Sequence, residues 1–471
     1  MKKVIIIGGG VAGLTAGIYC RMNGIECEIL EKNKNCGGNL TGWSREGCYI
    51  DNCFHWLTGT RPGTELYRIW RDIGMITDHG ELYQPTVFYE SILDGKSIVF
   101  SRYPEVTRLN MLKLSLADAA VIDRFINAVE AVGEFIENGR PSSALAIAYA
   151  RYRGITLGEL GARFKDPLLK LAFTDYFGKE FSAITLIWAY GTFISGNGMI
   201  PKGGSKRAAE RIESRYIGLG GQIRHSCGVR KIVLDGSKRA KGVITEEGEF
   251  IGARAIICAC DPSITFGSLL SQDRMNKDFL RVYRNSRIAP RFSSVQAAFA
   301  VNFVSARFGT RIISCPNLGK RSRLVVKEYG YEERFAPEGS SIIQTMLFVR
   351  DNECLDWLSL KADEARYSAE KKRMSEEMRS SLVKMLECSD GDIKCIDAWT
   401  PATYHSYFGA DHGSYMGFIL TPKTPLRGFS CRVQGLDNVF IASQWKRSPG
   451  GLPNAARSGR TAAYAVKKHG L

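Results

Sequence analysis

At 471 residues, with 44% hydrophobic and 24% charged side chains, the chain is too long for one simple core and reads as a globular protein of two domains or one elaborated fold. Its formal charge of +16 is spread over segments 202–215, 230–241, 307–327 and 371–379; no nucleic-acid module accompanies them, so no nucleic-acid partner is expected, and a solvated basic surface or attraction to an anionic membrane face each accounts for the surplus. No stretch approaches the roughly 18 apolar residues that span a bilayer, and the apolar run after Lys3 is too short for a signal peptide, which predicts a cytoplasmic protein with at most peripheral membrane contact.

Residues 2–7 form a short apolar strand, 11–23 have helical spacing, and 26–30 (ECEIL) form a second strand ending at Glu31. This is the opening βαβ unit of a doubly wound sheet. From about 59 to 195 the pattern turns mainly helical, with apolar residues three and four apart in TELYRIWRDIGMI and LADAAVIDRFINAVEAVGEFI. The apolar passage 186–194 (LIWAYGTFI) is core or pocket material. Strand signals return at 222–224, 229–234 and 241–245, and ARAIICACDP resumes the character of the opening strands. Alternating strands follow at 294–301 and 341–348. A helix over 361–387 carries Met374, Met378, Leu382 and Met385 on one stripe, read as core packing. A last apolar strand, LDNVFIASQ, precedes a loop and a helix from 454 to 471.

Thirteen cysteines lie between Cys20 and Cys431 without C-x-x-C spacing. They predict free thiols in a reducing compartment and indicate no metal site. Cys258 and Cys260 share one strand face and read as buried, inert thiols.

The turn after the first strand is G-x-G-x-x-G, with Gly8, Gly10 and Gly13. The first glycine permits the tight turn, the second lets the backbone approach a pyrophosphate, and the third lets helix and strand pack closely. The helix start then offers unpaired N–H groups and a positive dipole end to the phosphates. Glu31 is placed to accept hydrogen bonds from a ribose hydroxyl pair. Strand, loop, helix, strand and acid in this order indicate an adenine dinucleotide, NAD or FAD. A second pair, Gly37-Gly38, and the glycine- and alanine-rich start of the last helix favour FAD. SGNGMIPKGG (195–204) precedes a helix but shows no strand before it, so no built-in nicotinamide site is indicated, and the electron donor or acceptor is not legible.

The opening fingerprint, Gly37-Gly38, YIDNCFHWLTG (49–59), GMIPKGGS (198–205), GGQIRHSCGVRKI (220–232) and SPGGLPNAARSG (448–459) together resemble the phytoene desaturase, retinol saturase and carotenoid isomerase-like branch of the FAD-dependent amine oxidase superfamily. The resemblance implies an α/β fold in which a Rossmann-type, GR2-like FAD-binding domain (1–59, 199–270, 425–471) is interleaved with an α+β substrate domain (60–198, mainly helical, and 271–424, sheet plus helices). It implies noncovalent FAD, with Gly8, Gly10, Gly13 and Glu31 on the ADP half and Val229 at adenine through its backbone. Gly450, Gly451, Leu452 and Ala455 would lie beside flavin and pyrophosphate, and Val11, Ala12, Lys32, Gly37, Gly38, Asn39, Leu40, His55 and Gln444 complete the expected cofactor wall. The sequence departs from the pattern at Cys53 and Ser443, where glycine is common, and at Asn39, where amine oxidases often carry arginine.

A flavin performs the difficult step itself, so few catalytic side chains are required. His55 is the first candidate acid or base and a structural histidine is its alternative. Lys446 or Arg447 is a candidate to balance negative charge on reduced flavin. Trp56, Tyr404, His405, Asp411 and His412 are further candidates near the cofactor, Asp51 reads as a ligand of loop backbone, and Tyr415 and Trp445 as flavin-facing walls or packing. The leading expectation is desaturation or saturation of a carbon–carbon bond in an apolar, isoprenoid or polyene substrate. A redox-neutral carotenoid-type isomerase using reduced FAD, an amine oxidase and a non-catalytic lipid or prenyl escort are the alternatives.

Overall fold

The computed structural model describes residues 3–77, 81–236, 238–305, 308–318 and 323–471. Lys2 of the expected first strand, position 237 in the basic segment 230–241, and positions 307 and 319–322 in the segment 307–327 lie outside the described residues.

A five-stranded parallel sheet runs in the order Gln222–Arg224, Cys27–Leu30, Val4–Ile7, Ala255–Cys258, Val439–Ile441. The three central strands are buried throughout, as apolar runs without alternation require. Alternate residues nevertheless serve different cores. Val4 and Ile6 pack with helices Val11–Met22, Gly204–Gly218 and Gly451–Lys468 on one face. Ile5 and Ile7 pack on the other face, with the antiparallel strands Val229–Leu234, Ala240–Thr245 and Phe250–Gly252. Glycine sets the helix spacing: a Cβ on Gly17 would come within 2.7 Å of the Tyr216 ring, and one on Gly459 would overlap the backbone of Ala12.

A seven-stranded, mostly antiparallel sheet stands beside the first. Its order is Ile393–Trp399, Phe292–Val301, Ser341–Arg350, Arg323–Tyr329, Phe308–Ser314, Val87–Leu93, Lys96–Ser101. The last two strands fall within 59–195, which is otherwise mainly helical as expected. They form a hairpin across Asp94-Gly95, both at positive φ (49° and 75°), the Asp-Gly turn that matches the twist of paired strands. Helices Ala119–Asn138 and Ala183–Ile194 then form an aromatic core against this sheet. The long helix spans Glu364–Leu386, a little shorter than expected, and buries Met374, Met378 and Leu382 with Met385 half-buried beside them.

Gly198–Pro201 is a strand, contrary to the reading of that segment as strandless. It pairs antiparallel with Leu57–Thr58 and Leu82–Tyr83, apart from the parallel sheet. Carboxylates of the chain itself occupy the helix start that follows. Ser205 N donates to Asp51 Oδ2 at 2.6 Å, and Gly203 N donates to Glu332 Oε1 at 2.7 Å. The last helix begins at Gly451, three residues earlier than expected.

Candidate functional site

A cavity of about 1540 Å³ lies between the two sheets. That exceeds the roughly 300–1,000 Å³ of a pocket for one drug-sized ligand, so it has room for a dinucleotide and a second molecule. Its walls differ along its length.

One end is made of main chain. Gly8 (φ 102°) turns the chain from the first strand into helix Val11–Met22. Gly10 caps that helix with no side chain over its N–H groups and no acid in the first turn, which leaves them for an anion. Gly10 bridges Gly37, and Gly37 N donates to Gly9 O at 2.9 Å, so the two glycine segments form one cradle. Glu31 is buried at its edge and accepts from Gly9 N (2.6 Å) and Asn33 N (2.8 Å); each carboxylate oxygen keeps a further lone pair for a hydroxyl. Val229 and Lys32 line the same end. Opposite, Gly450 (φ 84°) precedes helix Gly451–Lys468 and has no side chain to cap it, but Gln444 Oε1 accepts from Gly451 N at 3.0 Å.

The middle is polar and partly unsatisfied. Asn39 donates to Tyr415 O at 3.1 Å, while its Oδ1 is buried and makes no hydrogen bond among the described residues. His55 Nδ1 is in the same condition. Burial first, then the charge of Lys327, pushes the His55 imidazole down to about 3. His55 is therefore neutral near pH 7, with one ring nitrogen as donor and the other as acceptor. Cys53 and Ser443 also face the cavity, and burial pushes the Cys53 thiol up to about 12.

The other end is made of side chains. Helix Ala183–Ile194 turns Ile184, Trp188 and Thr192 toward the cavity, while Leu186, Ile187, Tyr190 and Phe193 go to the core. The i, i+4 spacing of the first set explains that division. The sheet supplies the floor, with Gln296, Met346 and Val325 opposite one another on three neighbouring strands. Phe292 meets the Phe348 and Tyr415 rings at 5.9 and 5.3 Å. Trp188, Tyr149 and Leu426 line the cavity and are more than a third exposed, which marks its mouth.

One row along the floor, Lys327 lies opposite Gln344, beneath the loop that carries Asp51 and His55. Gln344 fixes that loop, accepting from Asp51 N (3.1 Å) and donating to Asp51 O (2.9 Å). Lys327 is 6% exposed and its Nζ makes no hydrogen bond among the described residues; the Tyr329 ring lies 4.6 Å away. Burial pushes the ammonium down to about 8, against the pull of Asp51.

The cavity wall brings together Gly8, Gly10, Val11, Ala12, Glu31, Lys32, Gly37, Gly38, Asn39, Leu40, His55, Val229, Gln444, Gly450, Gly451, Leu452 and Ala455. Gly13 is not on it. A Cβ there would overlap Gly8 O, so its role is packing. Lys446 is a second correction: residues 444–446 form a 3₁₀ turn that sends Gln444 and Trp445 to the wall, while Lys446 points away. Trp56, Arg447 and Tyr415 line the cavity; Tyr404, His405, Asp411 and His412 do not. Tyr404 accepts from Gln296 Nε2 (2.8 Å) and Trp399 Nε1 (3.0 Å). His405 contacts Ala410 O, and Asp411 pairs with Arg291 and His412. Asp51 holds its own loop and the helix start through Cys53 N, Phe54 N and Ser205. Sequence reasoning missed Gln296, Met346 and Asp261 on the wall. Gln296 alone carried a signal, a polar residue within an apolar strand. Cys260 also lines the cavity, unlike the fully buried Cys258.

The glycine cradle, the uncapped start of helix Val11–Met22 and the unsatisfied Asn39 and His55 atoms fit a flavin cofactor. The chain is 22% identical to the chloroplastic prolycopene isomerase of Daucus carota over 98% of this chain and 79% of that protein. It is 24% identical to the 1-hydroxycarotenoid 3,4-desaturase of Flavobacterium sp. (strain P99-3) over 61% of this chain and 62% of that one. In fold it is similar to an oxidoreductase from Methanosarcina mazei, with a TM-score of 0.67 at 16% identity over 99% and 100% of the two chains. Residues 11–467, nearly the whole chain, match the flavin-containing amine oxidoreductases, and the chain belongs to this family, on its carotenoid desaturase and isomerase-like branch.

Proposed function

We propose that the protein holds FAD noncovalently and desaturates or saturates a carbon–carbon bond of an apolar, isoprenoid or polyene substrate. The observation that carries this reading is the cavity's division: main-chain donors at one end, an aromatic and aliphatic chamber at the other. Bound FAD supplies the hydride or electron-pair transfer. The chain's own residues bind, orient and keep out water. The starts of helices Val11–Met22 and Gly451–Lys468 receive the pyrophosphate, and Glu31 takes the ribose hydroxyls. Val229 presents backbone to adenine, while Asn39 Oδ1 and the neutral His55 offer hydrogen-bonding atoms toward the flavin. Phe292, Met346, Val325 and Ile184 hold the substrate by shape and exclude solvent.

A redox-neutral isomerisation assisted by reduced FAD is the second reading, favoured by the likeness to prolycopene isomerase along 98% of the chain. Amine oxidation is less well served, because the cavity presents Asn39 and an apolar chamber. Trp188, Tyr149 and Leu426 at the mouth, on a chain of charge +16, support peripheral contact with an anionic membrane from a cytoplasmic location. Among the described residues no helix is long and apolar enough to cross a membrane.

The test is the absorption spectrum of purified protein before and after denaturation, followed by anaerobic assays of polyenes, enones and amines with the oxidised and the reduced protein. FAD released on denaturation, together with polyene turnover, is the expected result. A colourless protein that takes up no added FAD would turn the reading toward a non-catalytic lipid escort.

A further inference from the structure

Outside the cavity, three pieces of chain bring a thiol, a carboxylate and an imidazole together. Cys36 comes from the segment after strand Cys27–Leu30, Glu213 from helix Gly204–Gly218, and His225 from the residue after strand Gln222–Arg224. One ligand atom of each lies within 4.8 Å of the other two, and His225 Nε2 is 3.0 Å from Glu213 Oε1. Zinc takes sulfur at about 2.3 Å and nitrogen or oxygen at about 2.0 Å in a tetrahedron, which spaces its ligands by roughly 3–4 Å. The three side chains need close by only about 1 Å to meet that spacing.

We propose that Cys36, Glu213 and His225 form a Zn²⁺ site whose fourth position takes water. Exposure rises across the set, from 7% for Cys36 to 20% and 35% for the Glu213 and His225 side chains, so the open position faces solvent and the ion has an entry path. Cys36 lies close to two carboxylates. A bound dication would balance their charge and take Cys36 as a thiolate, its proton going to solvent. A thiolate, an imidazole and a carboxylate suit zinc rather than the hard cations calcium and magnesium.

The site is a clamp on the cofactor cradle. Cys36 Sγ would lie 2.5 Å from a Cβ on Gly9, so it touches the glycine loop directly. Ser226 N donates to Asn33 O (3.0 Å) and Cys227 N to Glu31 O (2.8 Å), which ties the His225 segment to the Glu31 segment. Joining Cys36 to residues 213 and 225 therefore holds both flanks of the adenosine end.

The test uses the full-length protein, freed of metal by chelator and dialysis, titrated with Zn²⁺ against a chromophoric competitor and separately with Co²⁺. One equivalent of Zn²⁺, weakened about tenfold or more in both Cys36→Ser and His225→Ala, and a thiolate-to-cobalt absorption band that Cys36→Ser removes, are expected. His225→Ala alters an exposed side chain, so it reads the site even where Cys36→Ser fails to fold. Zinc uptake unchanged in His225→Ala, no uptake at all, or a cobalt spectrum without the thiolate band overturns the proposal.

Discussion

The two ends of the cavity are built by opposite rules. The glycine end is main chain: Gly8, Gly10, Gly37 and Gly450 remove side chains so that N–H groups and helix starts face inward. The chamber at the other end is side chain, with Ile184 and Trp188 from a helix and Gln296, Met346 and Val325 from three strands. At the first, an added side chain meets either packed backbone, as at Gly13, or the open space of the cavity, as at Gly10. The second is a packed surface on which volume-conserving changes are absorbed.

Substitutions can separate the ends. Gly13→Ala is expected to have the largest effect, since its Cβ has no room beside Gly8 O. It should lower stability by about 3 kcal/mol or more, read as a shifted urea midpoint. Gly10→Val should instead leave the fold standing, because its nearest neighbours, Gly37 O and Gly38 Cα, are 4.0 Å away. The new methyls occupy the space for the phosphates, so FAD affinity should fall by about 100-fold in a fluorescence titration. Comparable loss of stability in both variants would erase the distinction between a packing glycine and a binding glycine.

Between the ends, Lys327 acts by charge on His55. Its ammonium is pushed down to about 8 by burial, against ~10.4 when solvated. Between those values the unfolded chain binds more protons than the folded one, so stability rises with pH across that window, and the full cost is present below it. Lys327→Met should therefore stabilise the protein by about 2–3 kcal/mol at pH 7, a gain that shrinks as pH rises from about 8 to 10.4. A Lys327→Met variant less stable than the parent at pH 7 would mean that the lysine has a compensating partner.

At the chamber end, Met346→Gln should raise KM for a polyene about tenfold, roughly the 1.4 kcal/mol of one desolvated amide, with FAD content unchanged. The smallest effect concerns His55. Held down to about 3, it does not titrate near neutrality, so His55→Gln should leave the shape of the pH–rate profile between about pH 5 and 8 unaltered. An ionisation near about pH 6.5 that disappears in the variant would show that cofactor or substrate raises its basicity.

Legibility followed the same division. Gly8, Gly10, Glu31, Gly37-Gly38 and Gly450-Gly451 could be read because short-range backbone geometry admits few residues there. Lys446 misled for the converse reason: neighbours in a 3₁₀ turn point in different directions, and nothing local says which faces the cavity. The hairpin at Asp94-Gly95 was readable from its turn and flanking apolar residues, yet the helical periodicity on both sides obscured it.

The sequence by itself determined the opening βαβ unit, the glycine turn, the acid at its edge and the family, since each depends on residues close together in the chain. Tertiary structure alone decided that Gln296, Met346 and Val325 share a floor, that Lys327 lies buried beneath His55, and that Cys36, Glu213 and His225 meet. Those neighbours are fixed by strand register and helix docking between segments far apart in the chain. The long-range pairings that bring them together leave no pattern in the local order of side chains.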